Sequence, residues 1–171
     1  LRPLRDDQVA DLLGQRFPDL EAAEMAALVA LAAGSPGRAL ELAGEGGIGL
    51  YRELLALLRD LPGSDVPALH KLGDRLARAN GATAFQALME LLQDFLGRLV
   101  SAAATGRQPV EVMAGEGAVM SRLAARRGLE QWLEVWEKVG RLAASAEGAN
   151  LDRKQVLLNV FSVLERALRG V

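Results

Sequence analysis

Few side chains here have the type and spacing to do chemistry. The single histidine, His70, has Asp74 four residues on, so on a helix the two share a face and could pair. Hydrolysis by such a pair needs a nucleophile beside it, and no spacing in the chain supplies one. The expectation is therefore a surface or boundary His–Asp contact. A metal site would have to come from His70 and carboxylates alone, without clustered ligand spacing, so none is expected. The pairs Asp6/Asp7, Glu21/Glu24 and Glu134/Glu137 fall in first helical turns or on solvated faces, where the helix dipole or water accounts for them. None is assigned a catalytic role.

Phosphate chemistry fares no better. Gly44-Glu45-Gly46-Gly47-Ile48-Gly49 matches G-x-G-x-x-G in form, but that fingerprint follows a strand and a helical pattern precedes it here. The expectation is a flexible linker between two domains. A P-loop needs Gly-Lys followed by Ser or Thr. The only lysines, Lys71, Lys138 and Lys154, precede Leu72, Val139 and Gln155, so the sequence has no Walker A motif.

The most informative stretch is Gly34-Ser35-Pro36-Gly37-Arg38-Ala39-Leu40. Gly34 can take the left-handed conformation that ends a helix. Ser35 can cap the next helix, and Pro36 suits its first position, where the missing N–H costs nothing. Arg38 then falls in the first turn, where a cation opposes the helix dipole; the spacing alone favours a surface arginine in a helix-turn-helix, and the opposed dipole suggests a role beyond local stability.

Two other groups invite a binding role. Arg122, Arg126 and Arg127 lie within two turns, Arg107 lies in the loop before them, and Arg153 and Lys154 open the last helix. Nucleic-acid patches carry interleaved aromatics or strong net charge, and neither is present, so a solvated or inter-subunit face is expected. Trp132 and Trp136, one turn apart, read as a core stripe or as an aromatic anchor in a subunit interface.

The elements that must position these residues are helical throughout. The 171 residues fit one domain or two small ones and can bury roughly two-thirds of the unfolded surface. Half are hydrophobic but only 4% aromatic, so the core must be built from Leu, Ala and Val. A net charge of −2 gives no bulk attraction to nucleic acid. The absence of cysteine excludes disulfides and suits a reducing cytoplasm. No apolar run approaches the ~20 residues that span a bilayer, and no signal peptide is seen.

In order, Pro3 keeps Arg2 extended, and Asp6 is placed to cap a helix with Val9, Leu12 and Leu13 inward. Asp19 is placed to cap a second with Met25, Leu28, Val29 and Ala32 on one face, and a third runs from Pro36 to about Ala43. Beyond the glycines, Leu50 to Leu61 is helical. Ser64 or Asp65 caps a helix with Leu69, Leu72 and Leu76, and Thr83 caps a long one to about Ala104. Thr105 to Gly117, with Pro109, reads as loop, and Ala118 to Arg127 as a short helix. A longer helix carries Leu129, Trp132, Leu133, Trp136, Val139 and Leu142. Asn150 is placed to cap the last, with Val156, Leu157, Val160 and Phe161 inward. The fold class expected is all-α: a three-helix unit over 1–44, a glycine linker over 45–49 and a larger helical bundle over 50–171. No sheet or repeat array is expected.

The run from Gly34 to Leu40 after an Ala/Leu-rich helix resembles the sensor-2 segment in the lid of AAA+ ATPases, clamp-loader subunits above all. Asn150-Leu151-Asp152-Arg153-Lys154-Gln155-Val156-Leu157-Leu158-Asn159 resembles the last collar helix of the delta-prime subunit of bacterial DNA polymerase III, and Trp132 to Lys138 fits the same family. The resemblance implies an AAA+ lid over the first part and a collar domain over the second, in a chain whose P-loop domain would precede Leu1. It implies oligomerisation through the collar with delta and gamma/tau subunits, and only indirect dealings with the sliding clamp and primed DNA. It implies a cytoplasmic, non-catalytic part with no cofactor of its own, ATP belonging to the parent complex. Gly34, Ser35, Pro36, Gly37 and Arg38 would be the sensor-2-like residues, with Arg38 a relic or a structural contact. Trp132, Trp136, Arg153 and Lys154 would be candidate interface residues. The alternatives are the collar of a gamma/tau-type ATPase, another AAA+ loader, or a stand-alone adaptor that takes a partner helix in a groove.

Overall fold

The computed structural model describes residues 3–107, 111–148 and 152–170, so Arg2, Pro109, Asn150 and Leu151 lie outside the described residues. The fold is all-α: nine helices, and no strand among the described residues. They are α1 (Asp6–Arg16), α2 (Ala22–Ala32), α3 (Pro36–Gly44), α4 (Gly47–Asp60), α5 (Val66–Ala77), α6 (Ala82–Thr105), α7 (Glu116–Ala124), α8 (Leu129–Gly148) and α9 (Arg153–Arg169).

Helix starts follow local chemistry, though not always at the residue expected. Ser35 caps α3, its Oγ accepting from the Arg38 N–H at 3.4 Å, with Pro36 at the first helical position. Asp65, not Ser64, caps α5, accepting from the Ala68 N–H at 3.0 Å. Asp152 caps α9 by accepting from the Lys154 N–H at 2.9 Å. Asp6 is not a cap: α1 is capped at Arg5, and Asp6 and Asp7 lie in its first turn, where negative charge meets the dipole favourably. Asp19 and Thr83 do not cap either, since α2 starts after Glu21 and α6 after Gly81.

The helices α1, α2 and α3 pack on one another around Val9, Leu13, Leu28, Leu31, Ala39 and Leu42. Helix α4 lies against α2, α3, α6 and α7, and buries Tyr51, Leu54 and Leu58 completely. The longer helices pack in the pairs α5–α6, α6–α8, α8–α9 and α5–α9. One continuous core of buried side chains runs from Val9 to Leu168.

The glycine-rich segment corrects the expectation of a flexible linker. Only Glu45 and Gly46 separate α3 from α4, whose first residue is Gly47. Gly46 makes the turn at φ 65°. A Cβ on Gly47 would stand 2.8 Å from the Leu42 carbonyl oxygen, so glycine is needed here for close packing, and Ile48 is already buried. The segment is a tight helix–helix joint, because the apolar surface on both sides is worth burying.

Candidate functional site

Arg38 sits three residues beyond the Ser35 cap, at the positive end of α3. Its guanidinium crosses to α6 and pairs with Asp94, the two side chains being 22% and 39% exposed. The unfavourable dipole interaction is thereby offset by a carboxylate from another helix. Its Nε is buried with no partner among the described residues. The neighbouring hollow between α3 and α6 measures about 60 Å³ and is lined by Glu41, Glu45 and Glu90 beside Arg38. That is far too small for a nucleotide, and its carboxylates repel phosphate.

The turn before Arg38 is tied to the leading segment. The Leu4 N–H donates to the Gly34 carbonyl at 2.8 Å. Gly34 has φ 78°, and a Cβ there would stand 2.7 Å from the Leu4 oxygen, so both conformation and space demand glycine. Pro3, Leu4, Ala33 and Pro36 line a shallow apolar groove on that side.

The arginines singled out as basic clusters are mostly spent inside the molecule, as helix C-terminal caps. Arg122 donates to the carbonyls of Leu58, Arg59 and Leu61 at 2.9, 2.7 and 2.5 Å, closing the end of α4. Arg127 donates to Ala167 and Leu168 at the end of α9 at 2.5 and 3.1 Å. Arg153 donates to Ala77 and Arg78 at the end of α5 at 3.3 and 3.0 Å. Each guanidinium meets the negative end of a helix dipole and orphan carbonyls together. Lys154 likewise pairs with Asp74 at 2.5 Å. Its hydrogen bond holds the Asp74 carboxyl below the usual carboxylate range. The hydrogen-bond partner of Asp74 is thus Lys154, and His70 stands exposed nearby, where its charge also favours the Asp74 carboxylate.

The two tryptophans part company. Trp132 is buried in the core. Trp136, 38% exposed, lies on the outer flank of α8 with Leu129 and Leu133, each 40% exposed. The spacing of four and three residues puts these three on one strip of the helix. The Trp136 Nε1 donates to the Gln93 carbonyl at 3.2 Å, and the Gln93 amide donates back to the Trp136 carbonyl at 3.2 Å. Of the four candidate interface residues, then, Trp132 is core, Arg153 and Lys154 are engaged within the chain, and Trp136 offers outward apolar surface.

Sequence reasoning missed two polar centres. Glu116, only 1% exposed, accepts from the Tyr51 hydroxyl, from Arg98 at 2.5 Å and from the Val112 N–H at 2.6 Å, while Arg98 also donates to the Tyr51 oxygen at 2.6 Å. Burial pushes the Tyr51 hydroxyl far above its ordinary pKa. For Arg98, burial works against the charge, but Glu116 and Tyr51 outweigh it and the pKa is raised. Both Glu116 oxygens accept hydrogen bonds, so the cluster binds α4, α6 and α7 together. In the other centre, Glu165 accepts from the Gly63 N–H at 2.8 Å and from both the N–H and hydroxyl of Ser64 at 2.7 Å. Burial raises its pKa, but these donors and Arg169 reverse that and hold it at about 2. Helical periodicity cannot announce either centre, because Glu116 and Ser64 both follow glycines in loop-like sequence.

No three His, Asp or Glu side chains converge to hold a metal among the described residues, and no described helix is long and apolar enough to cross a membrane. No family model, curated protein or solved structure matches this chain.

Proposed function

We propose that this chain is a non-catalytic assembly module: the lid and collar of a clamp-loader subunit similar to the delta-prime subunit of bacterial DNA polymerase III. In that role it joins delta and gamma/tau subunits through its larger helical bundle, in the cytoplasm, so that the assembly can place a sliding clamp on primed DNA. The sequence resemblance at Gly34–Leu40, Trp132–Lys138 and Asn150–Asn159 motivates the reading. The observation that carries it is the outward strip Leu129, Leu133 and Trp136 on α8, an apolar face beyond what this bundle buries within itself. Arg38, paired with Asp94, then serves as a structural tie between the small helical unit and α6.

Size-exclusion chromatography of the chain mixed with delta and gamma/tau clamp-loader subunits tests this. Co-elution is expected, and it should weaken in Leu133→Glu. A folded chain that elutes alone overturns the reading.

A further inference from the structure

A second unspent surface lies elsewhere on the long-helix bundle, at α5 and α9. Between the start of α5 and the outer face of α9 is an open groove of about 570 Å³. It is lined by Val66, Leu69, Leu158 and Phe161, by Arg166, and by Arg169 paired with Glu165 at 3.0 Å. Val66, at the first position of α5, is 55% exposed, the most exposed large apolar side chain described. The Arg166 side chain donates only to the Ser162 carbonyl of its own helix and pairs with no carboxylate among the described residues.

The α8 strip is the complement of this groove. Leu129, Leu133 and Trp136 span about 10 Å of helix. Glu130, Glu134 and Glu137 lie exposed around them. Glu137 approaches Arg141 at 3.7 Å, whereas Glu130 and Glu134 have no ion-pair partner among the described residues. An apolar ridge flanked by the unpaired acids Glu130 and Glu134 thus faces outward on one helix, and an apolar trough carrying the unpaired Arg166 beside the Arg169–Glu165 pair lies on another pair of helices. The two surfaces differ and share no residue, so a contact between them in two copies is head-to-tail.

We propose that the α8 strip of one copy of this chain docks in the α5/α9 groove of a second copy. The ridge enters as a helix in a groove, with Glu130 or Glu134 meeting Arg166, the groove arginine that no carboxylate engages among the described residues. This deepens the assembly reading, on which it rests for the premise that such bundles meet side by side, by naming both faces. An interface of one short strip is small, so the association is weak and concentration-dependent, with a Kd on the order of 10–100 µM.

Sedimentation velocity across a hundredfold concentration range tests it, with circular dichroism to verify folding. Wild type should show a mass that rises with concentration and falls when salt screens the charges. Leu133→Glu removes the ridge, and Val66→Glu sets an acid in the trough; both side chains are exposed, and each change should weaken association at least tenfold. Mixed together, the two variants should form a one-to-one dimer, because each retains the half that the other lost. A strip-to-strip contact would instead spare Val66→Glu and show no rescue on mixing, which overturns the proposal. A chain that stays monomeric throughout also overturns it, and co-elution with clamp-loader subunits would then leave the assembly reading standing.

Discussion

Trp136 and Gln93 each donate a side-chain N–H to the other's backbone carbonyl, both at 3.2 Å, and so fasten α8 to α6 at the edge of the apolar strip. The exchange holds the part-exposed indole to α6. Trp136→Phe keeps most of the apolar area but loses one donor and frees the ring. The expected cost is about 1 kcal/mol in chemical denaturation. Gln93→Ala should cost a similar amount. Because the two bonds share one geometry, the double variant should lose less than the sum of the singles.

The buried triad makes a sharper prediction. Glu116 is enclosed with its charge met by Arg98, so removing Arg98 strands a carboxylate in the interior, whereas Arg98 itself keeps some contact with water. Arg98→Met should destabilise by roughly 3–5 kcal/mol, and Glu116→Ala by less, because the arginine it leaves unpaired is partly solvated. Tyr51→Phe removes only a hydroxyl between two groups that still hold each other, and should cost less, about 1–2 kcal/mol. Thermal or urea denaturation of the three variants checks the ranking. Equal costs across the series would refute the triad as the joint of α4, α6 and α7.

Glu165 gives the chain a pH dependence of known sign. Its carboxyl is held at about 2 in the folded chain, below the ordinary glutamate value, so folding binds it better when ionised. The stability it contributes is fully present above the unfolded pKa and is lost as pH falls toward the folded value, between about pH 4.5 and 2. Allowing for its partial exposure, the loss is about 1–2 kcal/mol. Glu165→Gln should lower stability at pH 7 and flatten this acid limb, as measured by urea midpoints from pH 7 to pH 2.5. An unchanged limb in the variant would show that Ser64 and Gly63 are not held by the charge.

Much of the fold is legible in the sequence, for reasons that also mark where legibility ends. Periodicities of three and four along α4, α6 and α9 pick out Leu54, Leu58, Phe95, Leu99, Val160 and Phe161, all completely or almost completely buried. Ser35 and Asp65 announce their caps because the bond is local, three residues from donor to acceptor. The glycines from 44 to 49 misled, because composition cannot distinguish a glycine that flexes from one, like Gly47, that lets backbone and side chain close in. The arginines misled in the same way. Arg122 and Leu61 are far apart in sequence, and no local pattern shows that a surface-coded side chain ends on another helix's carbonyls. Leu129 and Leu133 carry the hydrophobic signal of core residues yet face outward, and that mismatch made the candidate interface visible only in three dimensions.

Arg122 itself can be tested as a cap. It satisfies three carbonyls at the end of α4. Arg122→Met keeps the apolar stem but leaves those oxygens to water, with an expected loss of about 2 kcal/mol. Arg122→Lys, a point charge lacking the planar fork, should recover only part of it. A nucleic-acid-binding arginine would behave oppositely, with stability untouched and affinity for an oligonucleotide falling, so denaturation and a filter-binding assay on the same variants separate the two roles.

Arg38 and Asp94 make the decisive pair for the sensor-2 resemblance. If Arg38 is a tie between α3 and α6, its loss and that of Asp94 must be coupled. Arg38→Ala and Asp94→Ala should each destabilise, the arginine change being eased by removal of a cation from a helix N-terminus. The double-mutant cycle should return a coupling of about 1 kcal/mol, since both side chains are only partly buried. Neither variant should alter co-elution with clamp-loader subunits, because the α8 strip is untouched. Vanishing coupling, together with ATP raising the melting temperature of wild type but not of Arg38→Ala, would place Arg38 at a phosphate instead and return it to the role its sequence neighbourhood suggests.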